Sequence, residues 1–178
     1  MKVSAVLCCV LAAGVFAAAQ SAPATPSIPP EIQTMGYFVG NWSLQGTMKI
    51  SPNTPAADFH GKEQSEWVQG QYFVETHTDI QGPLGDVRST RVMEYNPADH
   101  VYTYNVYNSL GEHIEAIGNV EGNTWTWTAV QKMNGIATKA RYTFNFVSKN
   151  SYTFKSEVAS PSGDWVTVME GKATRTPQ

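Results

Sequence analysis

From Trp42 to Thr174 apolar and polar residues alternate with a period of two, interrupted only by short runs rich in Gly, Pro, Asn, Asp and Ser. A period of two sends successive side chains to opposite faces of an extended chain, whereas a helix needs recurrence near 3.6, which is missing here. The pattern predicts ten strands: Trp42 to Ile50, Phe59 to Val68, Tyr72 to Ile80, Val87 to Tyr95, Val101 to Ser109, His113 to Val120, Thr124 to Gln131, Thr138 to Val147, Tyr152 to Ala159 and Trp165 to Thr174. Turns such as Gln69-Gly70-Gln71, Asn96-Pro97-Ala98-Asp99 and Glu121-Gly122-Asn123 are too short for crossovers, so sequential neighbours pair antiparallel. The expected fold class is all-β, a single antiparallel up-and-down β-barrel of about ten strands, because closure removes exposed edges and leaves room for a cavity. A Greek-key sandwich is the alternative, but it wants a long connection, and Ser51 to Asp58 reads better as a loop over one barrel mouth.

The residues before the barrel have another character. Lys2, the apolar run Val3 to Ala19 and the small residues Ala17-Ala18-Ala19 make residues 1–19 a signal peptide, which predicts a secreted or periplasmic protein. Residues 20–33 read as a Pro/Ala-rich tether, with one short helical turn over Glu31 to Phe38, and residues 34–178 as the barrel domain. Both cysteines, Cys8 and Cys9, fall in the signal and lack the small preceding residue a lipid anchor needs, so the mature domain is held by packing alone. Nothing later is apolar for long enough to insert in a membrane. The net charge of −3 is scattered, without a basic stripe for nucleic acid. The oligomeric state is not readable.

Alternation assigns faces. The inward sets are Trp42, Leu44, Gly46, Met48 and Ile50; Phe59, Glu63 and Trp67; Tyr72, Val74, Thr76 and Thr78; Val87, Arg91, Met93 and Tyr95; Trp125 and Trp127; Tyr142, Phe144 and Phe146; Tyr152, Phe154 and Val158; and Trp165 and Met169. Such a wall, aromatic with interspersed polar groups, suits a small organic ligand, while the plain alternative is a core filled by the same rings. The candidate ligand-binding residues are Glu63, Trp67, Thr76, Arg91, Tyr104, Trp127 and Tyr142. A charge on an apolar face must be paired or reach water. Glu63 is expected to reach water at a mouth; Arg91 either does the same, meets Glu63, or clamps a ligand carboxylate.

Catalytic and metal signals are weak. None of His60, His77, His100 and His113 has metal-ligand spacing with another. Glu75, His77 and Asp79 share a strand face, as do His113 and Glu115, but the opposite faces are more apolar, so both sets are expected in solvent. Nucleophile elbows, phosphate loops and dinucleotide fingerprints are missing, and Asn41-Trp42-Ser43 is a glycosylation pattern common by chance.

Gly36-Tyr37-Phe38-Val39-Gly40-Asn41-Trp42 resembles the Gly-x-Trp entrance of the calycins, the superfamily of lipocalins and fatty-acid-binding proteins. Gly61-Lys62, Tyr95-Asn96-Pro97, Tyr102-Thr103-Tyr104 and Val168 to Arg175 make nearly the whole mature chain similar to bacterial exported proteins grouped as the domain of unknown function 1579 family. The resemblance implies a lipocalin-like barrel, without an agreed activity, in which Trp42 packs against Lys172 or Arg175 to close one end. A related branch of such barrels binds haem through a strand histidine; no residue matches that site, and haem stays attached only to His77 or His113. No cofactor is expected. The leading expectation is a non-enzymatic barrel binding a small, mostly apolar or weakly acidic molecule. The alternatives are an enzyme using Glu63, Arg91, Tyr104 or His77 at a mouth, and an interaction module with a filled core and an exposed apolar patch.

Overall fold

A computed structural model describes residues 28–133 and 136–177; residues 1–19, expected to be a signal peptide, and most of the expected tether over residues 20–33 lie outside the described residues. Ten strands follow one another: β1 (Gly40–Met48), β2 (Ala57–Val68), β3 (Phe73–Gly82), β4 (Gly85–Asn96), β5 (Val101–Asn108), β6 (His113–Glu121), β7 (Thr124–Met133), β8 (Ile136–Ser148), β9 (Ser151–Ala159) and β10 (Trp165–Arg175). Each pairs antiparallel with its neighbours, and β1 pairs with β10 from Trp42↔Arg175 to Met48↔Met169, so the sheet is a closed barrel. No helix among the described residues is long and apolar enough to cross a membrane.

The two ends differ. A short helix, α1 (Pro30–Thr34), and the 3-10 turn Met35–Tyr37 lie across the end where β1 begins and β10 finishes. Pro30 starts α1 at no cost, since a first-turn N–H has no helical partner to lose. Ile32, Met35 and Phe38 turn into the barrel and are buried. Phe38 meets Trp125, Phe144, Phe146 and Tyr152 with ring centroids 5.1, 5.6, 5.0 and 6.1 Å away. The plug is pinned by hydrogen bonds: Trp42 Nε1 donates to the Phe38 carbonyl at 2.8 Å, and the Tyr102 hydroxyl to that of Glu31 at 3.0 Å.

Arg175 ties the same end. Its guanidinium lies 4.1 Å from the centre of the Trp42 ring and donates to the Val39, Tyr37 and Lys149 carbonyls. Gly40, at φ 131°, leaves the space this guanidinium occupies, which a Cβ would fill.

Three residues expected inward are exposed, and each has a local reason. Ile50 lies beyond the end of β1, and Tyr72 closes the turn between β2 and β3. Trp165 faces out because a bulge between Thr167 and Met169 adds a residue to β10 and inverts the alternation before it. Its ring instead stacks under the Arg141 guanidinium at 4.5 Å, beside the Arg141–Glu157 ion pair.

Candidate functional site

Near the middle of the barrel, inward positions of β2, β3, β4 and β9 bring polar groups together on an aromatic floor. Register places Glu63 opposite Thr78 and Thr76 opposite Arg91. Glu63 Oε1 accepts from Arg91 Nη2 at 3.1 Å and from the Tyr152 hydroxyl at 2.9 Å, and Oε2 accepts from Thr78 Oγ1 at 3.3 Å. Arg91 Nη2 also donates to Thr76 Oγ1 at 3.1 Å, which bonds Ser65 Oγ at 2.9 Å. The guanidinium sits 5.6 to 5.7 Å from the ring centres of Phe38, Tyr104 and Phe144.

Glu63 and Arg91 are only 5% and 6% exposed, so this is an interior ion pair. The expectation that Glu63 reaches water is therefore wrong. Glu63 lies mid-strand, five or six residues from either end of β2, which at ~3.3 Å per residue is roughly 16–20 Å and beyond the side chain's reach. A carboxylate so placed must find a cation, and Arg91 is within range.

Burial shifts the surrounding groups. Desolvation alone lowers the Arg91 pKa, but attraction to Glu63 and to the Tyr104 and Tyr152 hydroxyls outweighs it, and the guanidinium ends more firmly protonated than usual. Burial, then the Glu63 charge, raises Tyr152 well above its ordinary value; burial raises Tyr104 and Tyr142 too, and pushes Tyr102 up to about 12. The sign follows from linkage. A tyrosine whose pKa is higher folded than unfolded contributes its full stability below about pH 10, the unfolded value, and loses it as pH climbs towards the folded value. The urea midpoint should therefore fall between pH 9 and 11.5, with tyrosinate absorbance at 295 nm from these residues rising only as the barrel unfolds. Their ionisation with the fold intact at pH 10 would contradict this burial.

Above the ion pair, towards the end opposite α1, lies an interior cavity of about 150 Å³. Leu44, Ile80, Phe154 and Met169 give it an apolar wall; Ser89, Ser156, Tyr104 and Tyr142 give it hydroxyls; Glu63, Thr78 and Arg91 form its base. Towards the plug the axis is filled by Trp42, Trp125, Trp127, Phe38 and Phe146. The interior is thus tightly packed at the plug end and keeps a small cavity towards the other, where Met48 and Phe59 are also buried. Outer-surface hollows of about 410 and 700 Å³ are larger, but they are dents in solvent-facing walls, the first beside the exposed Lys62–Asp79–Arg88 ion pairs. Among the hollows bordered by the described residues, this one lies inside the barrel and has buried charged groups, Glu63 and Arg91, in its lining, so it is the candidate site.

Of the residues singled out by sequence, Glu63, Arg91, Tyr104 and Tyr142 converge on the cavity, and Thr76 supports Arg91. Trp127 backs Tyr104 at 5.1 Å and is wholly buried; Gly118 opposite makes room for its indole, because a Cβ there would collide with the ring. Trp67 stands apart beside Gly36 of the plug, and Lys172 is exposed on β10, so Arg175 is the cation at Trp42. Thr78, Ser89 and Tyr152 were not singled out. Alternation had put Thr78 and Tyr152 on inward faces, but nothing local tells which inward groups meet across a barrel.

The histidines lie elsewhere. His77 is exposed on the outer face between Glu75 at 2.9 Å and Thr90 at 3.3 Å, and His113 stacks on Tyr107 with centroids 4.4 Å apart. Neither reaches the cavity, so neither fits a group held inside the barrel. Among the described residues no cluster of three or more His, Cys, Asp or Glu is arranged to hold a metal.

The family described as "Protein of unknown function (DUF1579)" matches residues 29–175. No curated protein matches the chain in sequence. Among solved structures, Rv2717c from M. tuberculosis is similar, with a TM-score of 0.62 at 11% identity over 85% of this chain and 100% of that one. The S-type phycobiliprotein lyase CPES from Guillardia theta is similar with a TM-score of 0.52 at 10% identity, over 82% of this chain and 92% of the lyase. At these identities the likeness is one of fold.

Proposed function

We propose a function from the premise that the chain belongs to the DUF1579 family of proteins of unknown function: it is an exported lipocalin-like barrel that binds a small, largely apolar molecule in its interior cavity. The observation carrying this reading is the cavity of about 150 Å³ whose base is a buried ion pair. A core selected for stability alone gains little from such a pair, since well-packed apolar residues there are often as stable or more so. A space of that size takes a single ring or a short branched chain. The ligand enters at the end opposite α1, because the plug closes the other. Export rests on residues 1–19, whose charged start, apolar run and small-residue end have the makings of a cleaved signal.

Native mass spectrometry of the protein purified from its host tests both parts. A chain starting at Gln20 and carrying a small co-purifying molecule is expected; an uncut chain would remove export. Ser89→Phe, which puts a ring into the cavity from β4, should abolish the bound mass while the melting temperature stays within a few degrees. If the variant still carries the molecule, the ligand sits elsewhere.

Convergence of Glu63, Arg91 and Tyr104 on one cavity also favours a second reading, acid–base catalysis. Against it, Glu63 already accepts three hydrogen bonds, and burial holds the protons of Tyr104 and Tyr152 more tightly than usual. Groups so engaged orient a ligand better than they exchange protons with it.

A further inference from the structure

We infer that the interior cavity selects uncharged ligands bearing a hydroxyl or other hydrogen-bond donor, and that Glu63 is the residue that excludes carboxylates. This rests on the binding reading above and specifies its ligand class.

The argument begins with the charges already inside. Glu63 and Arg91 cancel at 3.1 Å, and both are more than nine-tenths buried. Lys155 also borders the cavity, but its side chain is 46% exposed and its amine turns to Glu157 at 3.9 Å. A carboxylate arriving above this base would therefore meet an arginine whose charge is already neutralised and a carboxylate that repels it. It would also lose its own hydration without a new counter-ion. An ammonium meets the mirror-image problem, because the Glu63 charge is committed to Arg91. This displaces the idea of Arg91 as a free clamp for a fatty-acid-like headgroup.

An uncharged ligand meets no such obstacle, and the hydrogen-bond inventory says which polar group it should carry. Glu63 Oε1 is saturated by Arg91 and Tyr152, while Oε2 takes only the long 3.3 Å bond from Thr78. Arg91 Nε is buried without a partner among the described residues, so a hydroxyl, which both donates and accepts, suits this base better than a pure donor. A carboxylate oxygen has room for a second donor. A ligand hydroxyl or amide N–H fits there, with its apolar body against Leu44, Ile80, Phe154 and Met169.

Three probes of nearly equal shape separate the possibilities: benzyl alcohol, benzoate and benzylamine at pH 7, followed by shifts of the Tyr104 and Tyr142 ring resonances. For the unmodified protein, benzyl alcohol should bind at least tenfold more tightly than either ion. Glu63→Gln keeps the shape and leaves Arg91 without its counter-ion, so it should tighten benzoate at least tenfold and reverse the order. Because that variant strands a buried charge and can fail to fold, the double variant Glu63→Gln with Arg91→Gln is the second test. It should bind benzyl alcohol and neither ion. Benzoate or benzylamine matching benzyl alcohol in the unmodified protein would overturn the inference and leave the cavity as a binding site. If none of the three moves those resonances, the binding reading itself falls.

Discussion

Arg91→Ala should lower stability by about 3–5 kcal/mol, the usual cost of breaking a buried ion pair by removing one partner. For a domain of this size that is a fall in melting temperature of roughly 10 °C or more. The cause is what remains: Glu63, 5% exposed, would keep only the hydroxyls of Tyr152 and Thr78 and have no cation within reach. Replacing both members with apolar residues of similar volume, Glu63→Leu with Arg91→Met, should recover most of the loss, since neither charge is then stranded. Thermal melts of the unmodified protein and both variants decide this. A single variant within 1 kcal/mol of the unmodified protein would mean that the pair is solvated, against the burial described above. For the same reason Arg91→Ala is a poor probe of ligand contact, because it disturbs the barrel as well as the site.

The second large effect is expected at the plug. Phe38→Ala should cost about 3–5 kcal/mol, the range for truncating a fully buried aromatic residue. Phe38 is 0% exposed, and its ring is shared by Trp125, Phe144, Phe146, Tyr152 and the Arg91 guanidinium. The gap should not close easily, since Tyr102 holds α1 through the Glu31 carbonyl and Trp42 holds the backbone at Phe38 itself. The void should join the cavity through the space beside Arg91, so the variant should also bind a larger hydrophobic dye than the unmodified barrel accepts. A cost below 1 kcal/mol in chemical denaturation would show that the plug is dispensable.

How much of this was legible in the sequence varies by residue. Two-residue alternation and short turns were enough for ten antiparallel strands and a closed barrel, because a strand's faces are a local property. Alternation also put Glu63 and Arg91 on inward faces. It could not show that they meet, since 28 residues separate them, nor that Tyr152 arrives from 89 residues away. Those contacts depend on how the sheet curls, which no local pattern encodes. The Trp165 error has a similar origin: one extra residue in β10 reverses every face before it, and nothing in the string Trp165-Val166-Thr167-Val168-Met169 marks the bulge. Cavity size was beyond the sequence, since it depends on which rings Phe38 and Gly118 admit to the axis.

The plug and the Arg175 tie share one end of the cylinder, so the polypeptide enters by α1 and leaves after β10 on the same side. Attaching the protein to a bead, a sensor chip or a fusion partner next to α1 or just after β10 would therefore point the opposite end, where the proposed site opens, at the surrounding liquid. On the proposed binding reading a guest would have one route both in and out, so a competitor could not push it through from behind and would have to wait for it to leave.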